Sequence, residues 1–463
     1  MKPSRYNLYL PRPDGRYAIY NTARGSIALL PRVAATSIRK AGGAGMLMRN
    51  RVLSTPLQAQ LAELGILVPE RRDELQVPIR LTNRSRFAPG KTQVVVFPTQ
   101  QCNLDCAYCY QKPRLDPPPP MDARLAQRTG LFIREAIRAN RAEAVSVGFF
   151  GGEPLMNQPA CQRIIDLLTP FCETREIFIE FTVTTNGYLL PELKDSPLLA
   201  AIAAFHVTLD GDRATHDRVR ITRSGKGSWQ RIMDGLSMLV ERGIRTIVRL
   251  HQNRLTDEGF IEVLDELYRQ GLRADSAASI YCTTYNACAP DVGTAQCHRE
   301  LAEQRNRMGE RQLQLARLAR EHALAPLLDW GFSIPNEPLE VVGLGCTFAG
   351  CAGYAVDCDG AIYKCPEQLD DSTRVGRIGN DGMPKWNGNH DRLLAVRWWE
   401  SGCRDCSLLP VCGTGCMLDG LPESQAECAS IKQRFVSAIE RYIEHSLPQM
   451  SGVYAVTPSE DVA

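Results

Sequence analysis

The chain has 463 residues, 44% hydrophobic and 23% charged, an ordinary globular mixture that sets aside the disordered, collagenous and coiled-coil classes. Lys plus Arg number 54 against 52 Asp plus Glu, a formal charge of +2, so no global pull toward nucleic acid or acidic membranes is expected. The unusual figure is 17 cysteines, in a chain long enough for two or three domains with cores of their own.

In chain order, the start Met1-Lys2-Pro3-Ser4-Arg5-Tyr6 lacks an apolar signal core. The longest nearly apolar run, Pro197 to Phe205, is too short to span a bilayer. A reducing, cytoplasmic setting is therefore expected, where clustered cysteines bind metal rather than form disulfides. Residues 1–80 read as a separate module, with strand-like runs at Arg16–Tyr20 and Ser26–Leu30. A helix opens at Thr55-Pro56, with Pro in its first turn. Leu57, Leu61 and Leu64 share one face, Gly65 stops the helix, and Ile66-Leu67-Val68 returns as a strand, giving a winged-helix-like pattern. From Met1 to Arg51 there are ten Lys or Arg against one acid, Asp14. That is either a solvated basic face or a docking surface for something acidic.

From about residue 92 to 325, apolar strands alternate with amphipathic helical stretches. Strands are predicted at Gln93–Pro98, Val145–Phe150, Ile177–Thr184, His206–Leu209, Arg245–Leu250 and Ser276–Tyr281, and helices at, for instance, Asp122–Arg141, Ser228–Glu241 and Asp257–Gln270. Six βα units argue for a parallel sheet or partial barrel, with its active site at the C-terminal ends of the strands. Pro117 to Pro120 form a stiff, extended spacer. From about 340 to 445 the pattern changes to glycine- and cysteine-rich loops that cannot build a large apolar core, so metal is expected to hold them together. The tail after Gln449 reads as frayed.

Cys102, Cys106 and Cys109 form Cys-x3-Cys-x2-Cys directly after the first barrel strand. Three thiolates in eight residues suit three corners of one iron–sulfur cube and leave the fourth iron open to a ligand. An open coordination position marks catalysis rather than structure. Gly151-Gly152-Glu153-Pro154 closes the second strand: two glycines let a ligand approach the backbone, and the glutamate offers an acceptor to an ammonium. Thr185-Asn186-Gly187 follows the third strand, and Asp210-Gly211 follows the fourth, leading to His216-Asp217-Arg218-Val219-Arg220. Near the C-terminus stands Cys403-x2-Cys406-x5-Cys412-x3-Cys416, then Cys428; Cys346 and Cys351 precede Gly360-x4-Cys365. Spacing alone leaves a zinc ribbon open for these eight.

The stretch Cys102 to Cys109, with Tyr108 before the third cysteine, resembles the signature of radical S-adenosylmethionine (SAM) enzymes. The C-terminal pattern resembles the SPASM extension of radical SAM peptide maturases. The resemblance implies an α/β chain: a winged-helix-like peptide-recognition domain at 1–80, a partial (β/α)6 TIM-like radical SAM barrel at 81–335, an iron–sulfur SPASM domain at 336–448 and a flexible tail at 449–463. It implies three [4Fe-4S] clusters and SAM as cofactors. Cys102, Cys106 and Cys109 would hold the SAM-binding cluster. Cys346, Cys351, Cys365 and Cys416 would hold one auxiliary cluster, and Cys403, Cys406, Cys412 and Cys428 the other. Gly151, Gly152, Glu153, Pro154, Asn186, Asp210, Arg220 and Tyr108 would contact SAM, with Asn186 near its ribose or carboxylate and Arg220 pairing with the carboxylate. The bare residues leave Asn186-Gly187 open as a left-handed turn and Arg220 as a surface ion pair. His216 is read as orienting its loop.

In such enzymes the reduced cluster passes one electron to SAM, and the resulting 5′-deoxyadenosyl radical abstracts hydrogen from an unactivated carbon. The implied partners are a precursor peptide with an acidic leader, added to a strand edge of the N-terminal module, and an electron donor such as flavodoxin or ferredoxin. Neither nucleic acid nor membrane is expected. The implied reaction is an intrapeptide thioether or carbon–carbon cross-link. The alternative, formylglycine formation on sulfatases, resembles the chain less well, because those enzymes place an aspartate directly after the cysteine that here is Cys365. Here Pro366 and then Glu367 follow, and Glu367 is the candidate base. A non-catalytic iron–sulfur or zinc relay or scaffold protein is the reading from another class. Cys161 and Cys172 read as helix packing residues. Cys282, Cys288, Cys297 and Cys358 carry no assignment.

Overall fold

The computed structural model describes residues 1–41, 53–106, 108, 109, 111, 118–251, 256–272, 277–283, 346–395 and 402–413, with separate positions between 314 and 339 and between 432 and 443. Cys288, Cys297, Cys416, Cys428, the side chain of Cys282, Pro117 and the tail after Gln449 lie outside the described residues. The chain divides into two units, one made of residues 1–87, 332–350 and 395–463, the other of 88–331 and 351–394.

The larger unit is built on parallel strands β6 (Lys91–Val96), β7 (Ala144–Phe149), β8 (Phe178–Thr185), β9 (Ala204–Leu209), β10 (Arg245–His251) and β11 (Ala278–Thr283). Each lies within about two residues of its predicted position, because the physics that marks them is simple alternation. Val94 and Val96, Val145, Val147 and Phe149, Phe181 and Val183, Val207 and Leu209, and Val248 and Leu250 are buried. The intervening Gln93, Ser146, Glu180, Thr182, His206 and Arg249 are half-buried and mostly polar. Helices follow the strands at Ala123–Ala139, Gln158–Glu173, Trp229–Glu241 and Asp257–Arg269, each with a buried apolar stripe. Their starts are written in the sequence: Asp122 caps the first by accepting from Leu125 N at 2.6 Å, and Thr256 caps the last through Gly259 N at 3.0 Å. The six strands pair in chain order without reversal. That is the winding of a (β/α) barrel, whereas a doubly wound sheet reverses near its middle. The loops that follow the strands' C-terminal ends are thereby gathered at one end.

Segment 351–394 departs from the predicted irregular loops. It forms β12 (Gly353–Val356), β13 (Ala361–Tyr363), β14 (Arg374–Ile378) and β15 (Pro384–Trp386). Strand β12 pairs in parallel with β6, from Gly353 opposite Gln93 to Val356 opposite Val96, and the others add an antiparallel meander. The sequence hides these strands because every residue of β12 and β13 is buried, so nothing alternates. Phe97, Ala355, Ala361 and Tyr363 form a common core, and Phe97 meets Phe150 edge-on at 5.4 Å. An apolar core and a strand pair therefore tie this segment to the barrel strands.

In the smaller unit, β2 (Asn7–Pro11), β3 (Arg16–Asn21) and β4 (Ser26–Pro31) form an antiparallel sheet, and β1 (Lys2–Pro3) pairs with β5 (Leu67–Val68). Helices span Arg32–Lys40 and Thr55–Glu63, the second capped by Ser54. The sequence reading misses β2 and the first helix. Both faces of the sheet are covered: Ile19, Ala28 and Leu30 pack with Ile38, Leu61 and Ile66, and Tyr20, Ile27 and Leu29 pack with Leu408, Val411, Tyr442 and Ile443.

Phe97→Ala removes a fully buried aromatic side chain at the β6–β12 junction and is expected to cost about 3–5 kcal/mol. Chemical denaturation should show a clearly lowered midpoint; an unchanged midpoint would mean that the junction does not carry the segment.

Candidate functional site

The cysteine loop leaves β6 through Phe97 and is tied to the segment after the fourth strand. Asp105 N donates to Ile221 O at 2.7 Å, Arg223 N donates to Asn103 O at 3.4 Å, and Leu104 bridges Thr222. Cys106 is buried, while Cys102 and Cys109 keep some exposure. Burial pushes the Cys102 thiol up to about 11 and also raises Cys106. These thiols are therefore protonated at neutral pH unless a bound cationic group compensates the thiolates. Among the described residues, no three His, Cys, Asp or Glu side chains converge on one metal-ion position. An iron–sulfur cube takes its thiolates at separate corners, so three cysteines of one loop can serve it without meeting at a single metal position. Of the buried polar atoms without hydrogen-bond partners among the described residues, three lie on this loop and its neighbours: Asn103 Nδ2, Asp210 Oδ2 and Arg220 Nε. Such atoms suit a polar ligand.

The two glycines after β7 admit a close approach by the chain itself. Gly151 has φ +137°, and a Cβ there would lie 2.3 Å from Thr99 O. A Cβ on Gly152 would lie 2.2 Å from Gln101 O and 2.5 Å from Gln100 O. The room that the glycines provide is used by the chain's own approach to Cys102. Gly152 N donates to Thr99 O at 3.1 Å and Glu153 N to Gln101 O at 2.8 Å, which seats the loop.

Glu153 is fully buried. Its Oε1 accepts from Leu155 N at 3.0 Å and Thr185 Oγ1 at 2.8 Å, and its Oε2 accepts from Asn186 N at 2.8 Å. Burial pushes its carboxyl up to about 7, against the opposing pull of these bonds. The glutamate thus clasps the ends of β7 and β8. Pro154 starts the short turn Pro154–Asn157. Asn186 is buried; its Nδ2 donates to Asn103 Oδ1 at 2.8 Å and lies 3.6 Å from Cys102 Sγ, and its Oδ1 accepts from Tyr188 N at 2.9 Å. Neighbouring Gly187 has a left-handed backbone, φ +84°.

Asp210, Arg220 and Tyr108 come together, joined by His251, the last residue of β10, which the sequence reading does not single out. His251 Nδ1 donates to Asp210 Oδ1 at 2.6 Å. Arg220 Nη1 donates to Tyr108 Oη at 2.7 Å and lies 3.9 Å from Asp210 Oδ1. Despite burial, Arg220 and His251 hold Asp210 well below the usual carboxylate range, while burial lowers His251 and favours its neutral form. The pair is therefore a carboxylate and a neutral imidazole. Arg220 is 6% exposed, a buried cation rather than a surface ion pair. The signal for His251 is its position at the C-terminal end of a barrel strand. His216 is fully buried and accepts from Asp210 N at 3.3 Å through Nδ1, leaving Nε2 to donate to Ser228 Oγ at 3.0 Å. Ser228 Oγ in turn donates to Arg220 O at 2.7 Å. These bonds make His216 a brace between the two ends of the loop from Asp210 to Arg220.

Glu367 is not brought to this end among the described contacts. It is exposed, and its backbone N–H, not its carboxylate, faces Cys365 Sγ at 3.4 Å. Cys346 opens a short helical turn, and Cys351 lies 3.4 Å from Asn140 Oδ1. Cys403 and Cys406 pack beside Tyr6, Leu75 and Leu409, with Cys412 ending a short helix. Cys161, Cys172 and Cys358 are buried.

Residues 96–267 match the Radical SAM superfamily model. The serine-type anaerobic sulfatase-maturating enzyme of Bacteroides thetaiotaomicron is 28% identical over 31% of this chain and 35% of its own length. The sporulation killing factor maturation protein SkfB of Bacillus subtilis is 22% identical over 66% of this chain and 67% of its own. The chain spans little more than a third of the length of the first of these relatives. Among solved structures, anSMEcpe with bound AdoMet and the Cp18Cys peptide has a TM-score of 0.51 at 15% identity, over 77% of this chain and 99% of that one. That likeness shows a shared fold.

Gly152→Ala is expected to displace the loop that carries Cys102 and to strip about four irons per chain, one cube's worth. Iron analysis alongside far-ultraviolet circular dichroism checks this; full iron content in a folded variant would refute the seating described above.

Proposed function

We propose that this chain, whose residues 96–267 are a radical SAM domain, is a peptide maturase that forms an intrapeptide thioether or carbon–carbon cross-link. The observation that carries the reading is the three-thiol loop, seated on Gly151 and Gly152 and linked by Asn186 to the Glu153 clasp, at the barrel end where the strand-end polar groups gather. Cys102, Cys106 and Cys109 would hold a [4Fe-4S] cluster with one open iron. When bound, that cluster supplies the electron that cleaves SAM to a 5′-deoxyadenosyl radical, the hydrogen-abstracting species.

The chain's own part is to position and to exclude water. Asn186 and Arg220 take the polar groups of SAM, with Arg220 held by Tyr108 and Asp210 so that its guanidinium is aimed before the ligand arrives. Glu153, already committed to the ends of β7 and β8, acts by fixing the ligand-facing backbone. The half-buried polar face of the parallel strands, with Thr182, His206 and Arg249, offers a surface for a peptide segment. We assign the module at 1–80 to leader recognition and 336–448 to a SPASM region. In that region Cys346, Cys351, Cys365 and Cys416 would bind one auxiliary cluster, and Cys403, Cys406, Cys412 and Cys428 the other. A flavodoxin or ferredoxin would deliver the electron.

Sulfatase maturation is the second reading, supported by the relative from Bacteroides thetaiotaomicron. Against it stand Pro366 after Cys365 and the exposed side chain of Glu367, which leave no enclosed carboxylate at that position.

An anaerobic, reduced and iron-reconstituted sample is expected to release 5′-deoxyadenosine from SAM, and Cys102→Ala is expected to reduce this to background. No release from the wild-type protein would refute the enzymatic reading. A co-expressed substrate peptide should lose two hydrogens and stay inert to a hydrazide probe. A hydrazide-reactive aldehyde would instead establish the sulfatase reaction.

A further inference from the structure

We infer that Asp357 and Gln100 form a clamp by which the β12–β13 turn sets the position of the catalytic cysteine loop. The inference rests on the proposal that Cys102, Cys106 and Cys109 carry the SAM-binding cluster. Asp357 is therefore a positioning residue, acting through Gln100 rather than on any reacting atom.

The turn is rigid by its own bonds: Asp357 N donates to Ala361 O at 2.9 Å, and Gly360 N donates to Asp357 O at 2.9 Å. Asp357 is 1% exposed and Cys358 2%. Asp357 Oδ1 accepts from Gln100 Nε2 at 2.7 Å and from Cys358 N at 2.7 Å. Gln100 is thus held by the turn through its side chain. Beside the turn, the same junction continues with Phe97 N donating to Val356 O at 2.8 Å.

Gln100 stands two residues before Cys102, in the stretch whose carbonyls press on the glycines. Thr99 O, Gln100 O and Gln101 O are the oxygens that a Cβ at Gly151 or Gly152 would strike. The loop therefore has glycine backbone against its carbonyls and a buried carboxylate holding the Gln100 side chain. A hydrogen bond to a buried charge is among the stronger kinds and is short, as here. Asp357 also lies between Cys351 and Cys365 in the chain, six residues after one and eight before the other. The clamp gives the segment that bears these two cysteines a mechanical hold on the catalytic loop.

The test uses the full chain, reconstituted and reduced anaerobically, with SAM titrated against the low-temperature electron paramagnetic resonance signal. Only a cluster with an open iron changes its signal when SAM binds, so fully ligated clusters do not obscure the readout. Gln100→Met and Asp357→Ala are each expected to raise the SAM concentration at half-change about tenfold, within the range of one charge-assisted bond. The double variant should be no worse than either single one, because both remove the same bond. Asp357→Asn keeps an acceptor oxygen without the charge and should restore the titration part of the way to wild type. A role in folding alone would lower the denaturation midpoint and leave the titration unmoved. If Asp357→Ala does not fold, Gln100→Met still decides, since it keeps the buried carboxylate and most of the side-chain volume. Wild-type titrations in the variants, simple addition in the double, or failure of Asp357→Asn to restore would overturn the clamp alone. A wild-type protein whose signal ignores SAM would overturn the functional reading and the clamp with it.

Discussion

The contact on which the candidate site depends is one of backbone against backbone: the carbonyls of residues 99–101 lie where side chains of residues 151 and 152 would be. Strands β6 and β7 pair in parallel, so their following loops emerge side by side and compete for the same space. Two consecutive residues without Cβ resolve the competition, and the N–H groups of Gly152 and Glu153 convert the close approach into hydrogen bonds. From this contact the rest follows in order. The loop is fixed two residues before Cys102, Glu153 is turned inward to the end of β8, and Asn186 is brought within reach of Cys102 Sγ.

Charge is handled by the same economy of position. Glu153 and Asp210 are both buried, yet their environments push them in opposite directions. Glu153 receives only neutral donors, so burial dominates and raises it. Asp210 faces Arg220 and His251, and these outweigh the same burial. A buried carboxylate opposite a buried guanidinium needs further hydrogen bonds to be tolerated. Tyr108 on the arginine and His251 on the aspartate supply them. Placing Tyr108 inside the cysteine motif means that the loop and the charge network are ordered together.

How legible this is depends on how each element is buried. Strands β6 to β10 are legible because one face is apolar and the other half-buried and polar. Strands β3 and β4 are legible by composition, and β12 and β13 not at all, since burial on both faces leaves no period to read. The cysteine loop, Gly151-Gly152-Glu153 and Asn186 are legible as motifs, but the physical role of the glycines is not: a sequence does not show which backbone will approach them. His251 escapes notice because a lone histidine ending a strand has no spacing partner; its partner, Asp210, is forty-one residues away.

The same reasoning explains why the segment bearing Cys351 and Cys365 reads as loop yet behaves as part of the barrel unit. These cysteines flank β12 and β13, and β12 is hydrogen-bonded along its length to β6, the strand that launches the cysteine loop. A segment held only by metal would be ordered only when metal was bound. A segment held by a strand pair and by Phe97, Ala355, Ala361 and Tyr363 is in place beforehand. The hydrophobic core and the sheet then share in the energetic burden of ordering its cysteines. On the proposed assignment, cluster assembly in this part of the chain is a filling of prepared positions, and the parallel pairing of β12 with β6 is the element that prepares them.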